Sequence, residues 1–115
     1  NIYINYLHYS RYVDNKGLHD GIWVHKPTKE EVLNKHILLV DDILDEGNTL
    51  FECQTLLKKL GAKTVTSCVL FYKPNNKVKI DADFKGLELP NLYVYGFGLD
   101  SNGLKRNHLN LYAQT

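Results

Sequence analysis

The sequence predicts an α/β fold built on parallel strands, and three stretches predict it. "HILLV", residues 36 to 40, is short and almost wholly apolar, as expected of a strand covered on both faces. Leu50, Phe51, Cys53, Leu56, Leu57 and Leu60 then recur at spacings of three and four, which gives a helix one apolar face. "AKTVTSCVLFY", residues 62 to 72, is rich in β-branched residues and reads as the next strand. Strand, helix and strand in that order make a parallel crossover unit.

The remaining elements follow along the chain. Residues 2 to 9 of "NIYINYLHY" alternate apolar and polar, the period of a half-buried strand. "VDNKGLHDG" (13–21) reads as a polar, glycine-bearing turn or mobile loop, and "IWVHKP" (22–27) as a short strand. "TKEEVLNK" (28–35) is a surface connection with one helical turn opened by Thr28. After the central helix, Lys58 and Lys59 suit its last turn, and Gly61 suits the position just past its end. "KPNNKVKIDA" (73–82) is a loop. "DFKGLELP" (83–90) and "LYVYGFGLD" (92–100) each add a short strand, and "LNLYA" (109–113) is expected to close the sheet. No repeat, low-complexity tract or linker divides the chain, so residues 1–115 are read as a single domain.

Composition narrows the function classes. The chain is 43% hydrophobic and 23% charged, ordinary values for a globular protein. A net charge of +1 without any Lys/Arg-rich run argues against a nucleic-acid surface. Nothing approaches an apolar membrane span, and no secretory signal opens the sequence. Cys53 and Cys68 lack metal-ligand spacing and read as two reduced thiols, which points to the cytoplasm. The five histidines are scattered without ligand spacing, and Trp23 reads as a core or interface residue. The chain opens inside a strand-like alternation and contains no Met, so an N-terminal piece is expected to be missing.

The chemistry concentrates in "ILLVDDILDEGNTL", residues 37 to 50. The end of a buried strand before a helix is where open α/β sheets bind ligands. Gly47 lets the backbone turn tightly there, so that amides from about Asp45 to Thr49 face outward at a helix N-terminus, ready for a phosphate. Asn48 and Thr49 add neutral donors. A carboxylate cannot bind phosphate directly. Asp41 and Asp42 can instead accept from ribose hydroxyls or hold magnesium through water. A sugar phosphate satisfies both halves of the stretch.

This stretch resembles the phosphoribosyl-diphosphate motif of type I phosphoribosyltransferases, and "VDDILDEGNTL" resembles the hypoxanthine-guanine branch of bacterial type. The resemblance continues through Lys73, "ADFKGLELP", "YVYGFGLD" and Arg106. It implies a Rossmann-like parallel-sheet core and magnesium-dependent transfer of a 5-phosphoribosyl group to hypoxanthine or guanine. Asp41 and Asp42 would touch the ribose 2- and 3-hydroxyls. Asp45 would be the catalytic acid-base group near purine N7, and Glu46, Gly47, Asn48 and Thr49 would wrap the 5-phosphate. Lys73 would donate to the purine 6-oxo group, Tyr93 would stack on the ring, Val94 would accept through its backbone, and Ile43 would shelve the base.

For the metal, the resemblance implies Asp100, with Asp41, as ligands of Mg2+ on the pyrophosphate, which Arg106 would also reach. It implies a homodimer or homotetramer, and an earlier glycine-containing pyrophosphate loop. The Ser-Tyr pair of the family's mobile loop has its nearest match in Ser10-Arg11-Tyr12, which leaves Arg11 without an assigned role.

Two other readings fit parts of the sequence. "ILLVDD" also opens phosphoryl-accepting receiver domains, but those place it at the domain start and need a later strand-end lysine for which too little chain remains. Asp83 stands on the entrance side of its strand, which also counts against a receiver. A phosphoribosyl-diphosphate sensor that regulates nucleotide genes needs a basic face or an added DNA-binding domain, and the +1 charge weakens that.

Overall fold

The structure, a computed structural model, describes residues 1–14, 17–74 and 78–115, and over residues 12–14 and 17–20 the backbone alone. The tip of the expected 13–21 loop, the centre of the 73–82 loop and the side chain of Tyr12 lie outside the described residues.

The crossover unit forms as expected. β3 (His36–Leu44) leads into α2 (Asn48–Lys59), which returns to β4 (Thr64–Tyr72) parallel to β3. A further parallel strand, β5 (Phe84–Glu88), pairs with β4, giving the order β3-β4-β5. α2 packs through Leu50, Cys53 and Leu57 onto Leu39 and Val69 of the sheet, and this contact is the main core. The helix stops where the sequence signals it. Gly61 has φ +91, its N–H donates to the Lys58 carbonyl, and the Ala62 N–H donates to the Leu57 carbonyl. That pair of bonds satisfies carbonyls which the last turn would otherwise leave free.

Before the unit stand β1 (His8–Asp14) and β2 (Gly17–His25), an antiparallel hairpin. Trp23 of β2, with Leu7 just before β1, ties this hairpin to the main core. α1 (Lys29–Val32) is the expected single turn. Thr28 accepts from the Glu31 N–H while Glu31 accepts from the Thr28 N–H, and that bond holds the Glu31 carboxyl below its usual range.

Three expectations are corrected. Residues 1–7 form no strand and β1 starts at His8, since no described strand offers Ile2 or Ile4 a partner. The polar stretch read as a loop contributes to both hairpin strands, whose backbones satisfy each other regardless of side-chain polarity. β3 is covered on one face only. Leu39 is buried under α2, whereas Leu38 and Val40, pointing the other way, are 63% and 67% exposed.

The C-terminal strands depart from expectation as well. β6 (Tyr93–Tyr95) and β7 (Tyr112–Gln114) pair antiparallel with each other instead of extending the main sheet. Val94 nevertheless anchors this ribbon in a small second core with Phe71 and Leu89.

Both cysteines are free thiols, and burial pushes the Cys53 thiol up to about 11, which makes it unreactive. Among the described residues no helix is long and apolar enough to cross a membrane.

Candidate functional site at the β3–α2 junction

β3 ends in three acids, and the chain must then reverse into α2. Gly47 makes that reversal at φ +78, and a Cβ there would lie 3.1 Å from the Ile80 carbonyl oxygen. Gly47 is also the N-cap residue, so no side chain caps the helix. The first amides of α2 are therefore left without a capping acceptor. A helix start of this kind attracts an anion.

A cavity of about 390 Å³ opens at this point, lined by residues 41–50 and by Arg11 from β1. The expected residues Asp41, Asp42, Ile43, Asp45, Glu46, Gly47, Asn48 and Thr49 thus share one hollow. The Asp42 N–H donates to Asp41 Oδ1 at 2.9 Å, and the Ile43 N–H donates to Asp42 Oδ1 at 2.7 Å. Burial raises the Asp41 carboxyl to about 6, the neighbouring Asp42 charge adds to the rise, and the Asp42 amide partly offsets it. A carboxylate held out of water in this way gains from a hydroxyl donor or a cation.

Lys73 stands just beyond β4, only 8% exposed, and its Nζ donates to Asp45 Oδ2 at 3.0 Å. Its backbone N–H is fixed by the Leu44 carbonyl at 3.0 Å. A buried ammonium requires such a partner. Glu46 has two partners: Oε2 accepts from Asn48 Nδ2 at 3.0 Å and lies 3.8 Å from Arg11 Nη1.

The other expected residues sit outside the cavity. Val94 is buried in the second core, against which Ile43 packs. Tyr93 is half-exposed, and its hydroxyl donates to the Asp100 carbonyl at 2.7 Å. Asp100 Oδ2 accepts from the Gly103 N–H at 2.8 Å, Oδ1 is 3.5 Å from Arg106 Nη2, and Arg106 Nη1 donates to the Gly98 carbonyl. Asp100 and Arg106 are thus joined to each other and do not line the hollow.

The family described as "Phosphoribosyl transferase domain" matches residues 7–102, most of the chain. The chain belongs to that family. Its relatives include the hypoxanthine-guanine phosphoribosyltransferase of Aquifex aeolicus, 33% identical over 96% of this chain and 63% of that protein. The hypoxanthine phosphoribosyltransferase of Buchnera aphidicola is 37% identical over 65% of this chain and 43% of that protein. In structure the chain resembles a hypoxanthine phosphoribosyltransferase from Staphylococcus aureus, with TM-score 0.80, 26% identity, and coverage of 95% of this chain and 60% of that one. The chain therefore spans between 43% and 63% of the length of these relatives. The type I phosphoribosyltransferase fold expected from "VDDILDEGNTL" is the fold observed.

The sequence alone assigns Arg11 no role and marks Asp83 only as misplaced for a receiver's phosphoacceptor. Asp83 has a structural task instead. It accepts from both the backbone N–H and the hydroxyl of the fully buried Ser67, while its own N–H donates back to that hydroxyl. These bonds hold the Asp83 carboxyl below its usual range and fix the entry of β5. A Ser and an Asp sixteen residues apart carry no local signal for such a clasp.

Proposed function

We propose that the protein containing this chain is a purine salvage enzyme that transfers a 5-phosphoribosyl group from phosphoribosyl diphosphate to N9 of hypoxanthine or guanine, forming IMP or GMP and pyrophosphate. The observation that carries this reading is the junction cavity, where uncapped α2 amides and the Asp41–Asp42 pair line one hollow. The amides of Glu46 to Thr49 take the 5-phosphate, and Asp41 and Asp42 accept the ribose hydroxyls. As the bond from ribose C1 to the departing pyrophosphate breaks, positive charge grows on the ribose ring, and these carboxylates stabilise it from fixed positions.

The Lys73–Asp45 pair suits the purine edge. The 6-oxo group and N7 are adjacent there, and an ammonium with three protons can keep Asp45 while donating to the oxygen. Asp45 then manages the N7 proton. Ile43 shelves the base, Tyr93 stacks on it and the Val94 backbone accepts from its far edge. Arg106 reaches the pyrophosphate once it separates from Asp100.

The donor set fits magnesium. Among the described residues no three acidic, His or Cys side chains converge into a cage, and magnesium is commonly held by one or two carboxylates plus substrate oxygens and water. Asp41 has one oxygen committed to a backbone amide, and Asp100 is the second candidate ligand. When bound, the ion would neutralise pyrophosphate charge.

The test is nucleotide synthesis with three bases. Hypoxanthine and guanine should react. Adenine should be refused by a factor of ~10⁴ or more, because a buried ammonium cannot accept from a 6-amino group. Efficient use of adenine would contradict the Lys73 assignment, and no turnover of any purine by the full-length protein would contradict the reaction.

A further inference from the structure

Arg11 reaches the junction cavity from a separate element. The walls contributed by residues 41–50 hold four carboxylates, on Asp41, Asp42, Asp45 and Glu46, and among the described residues Arg11 is the cationic side chain that lines the same hollow. Its guanidinium stands 3.8 Å from Glu46 Oε2, beyond hydrogen-bond distance, and the Glu46 side chain is 63% exposed. That contact is a loose pair in solvent, easily exchanged. Glu46 leads directly into the amides that open α2. A phosphate seated on those amides would lie beside Arg11 and repel the Glu46 carboxylate. Guanidinium prefers such a partner, since its fork matches two phosphate oxygens.

We propose that Arg11 is a ligand of the phosphate monoester bound at the start of α2, and that Glu46 holds it in the empty site and gives it up when the phosphate arrives. The inference rests on the phosphoribosyl reading for the identity of the sugar phosphate, but it assigns a residue that reading leaves without a task. It also makes Glu46 a competitor of the ligand through its side chain while its backbone amide assists.

The experiment is calorimetric binding of ribose 5-phosphate and, separately, of inorganic pyrophosphate to the wild-type chain, Arg11→Gln, Arg11→Lys, Glu46→Gln and the double variant. Arg11→Gln should weaken ribose 5-phosphate by roughly 10- to 100-fold, the effect of losing one charge-assisted bond, and leave pyrophosphate unchanged. Arg11→Lys should recover part of the loss, because charge returns without the fork. Glu46→Gln should tighten ribose 5-phosphate when Arg11 is present and change nothing when Arg11 is Gln, a coupling that a merely structural role for either residue would not produce. Equal affinity of wild type and Arg11→Gln for ribose 5-phosphate overturns the proposal, as does a loss confined to pyrophosphate. Tight, Arg11-dependent binding of ribose 5-phosphate by a protein that converts no purine base would overturn the reaction and leave Arg11 in place.

Discussion

The β3–α2–β4 unit and the β6–β7 ribbon both carry residues expected at the site, but they hold them differently. At the junction the helix amides are uncapped, Asp41 is largely buried, and polar groups face a shared hollow. In the ribbon, Asp100, Arg106 and Tyr93 are satisfied by one another and by nearby backbone. The junction leaves polar groups free for a ligand, whereas any ligand at the ribbon would have to displace bonds already made there. The difference follows from packing. The junction residues are braced by the main core under α2, while the ribbon is anchored through Val94 and carries left-handed backbone at Phe97, Asn102 and Lys105.

The largest expected effect belongs to the junction. Asp45→Asn should lower purine turnover by ~10²–10⁴, because the proposed acid-base group is lost while an amide oxygen still accepts from Lys73. Phosphoribosyl-diphosphate affinity should change little. Steady-state kinetics beside equilibrium binding separates the two, and equal loss of both would make Asp45 a loop-shaping residue.

Next comes the core beneath each region. Leu57 on α2 is 2% exposed, and Leu57→Ala should cost ~2–5 kcal/mol in urea unfolding. Leu109, near the ribbon, is 88% exposed, and Leu109→Ala should stay within about 0.5 kcal/mol. Similar costs at both positions would remove the contrast between the regions.

Burial of Asp41 predicts a pH dependence with a definite sign. Its carboxyl rises to about 6 in the folded protein, above the ordinary value near 3.9 of an unfolded chain. The stability it allows is fully present below pH ~4 and lost as pH rises through about 6, so the ionised group is destabilising at neutral pH. Without ligand, Asp41→Asn should therefore stabilise the chain at pH 7.5 and leave it unchanged at pH 4. Thermal melts at both values check this, and a destabilised variant at pH 7.5 would mean that the carboxylate is held by bonds rather than merely tolerated.

The smallest effect is expected in the ribbon. The exposed Asp100–Arg106 pair should show a coupling of about 1 kcal/mol or less in a double-mutant cycle of stability. Asp100→Ala should still raise the magnesium concentration needed for turnover more than it weakens purine binding. A magnesium titration that does not move would return Asp100 to its turn role at Gly103.

What could be read in the sequence was local. The apolar run at 36–40, the helical spacing from Leu50 to Leu60, the stop at Gly61 and the capping turn at Thr28 each depend on neighbours a few residues away. The acidic stretch was legible for the same reason, since its acids and amides share one turn. The hairpin was partly misread because pairing, and not polarity, makes a strand of residues 17–21. Nor does the alternation at 2–6 create a partner where none is described. The Lys73–Asp45 pair, the Ser67–Asp83 clasp and the approach of Arg11 to Glu46 all join residues far apart in the chain. No local pattern records them; the packing of the strands and their connections brings them together.

On the proposed function, the β3–α2 junction binds the phosphate end of a purine nucleotide through its backbone amides. The direct measurement is a titration of ¹⁵N-labelled protein with GMP and magnesium, followed by amide chemical shifts. The largest shifts should fall on Glu46, Gly47, Asn48 and Thr49, with smaller changes at Lys73 and Val94. Saturable binding that leaves those four amides unmoved, or shifts centred elsewhere on the chain, would rule out the junction as the phosphate site.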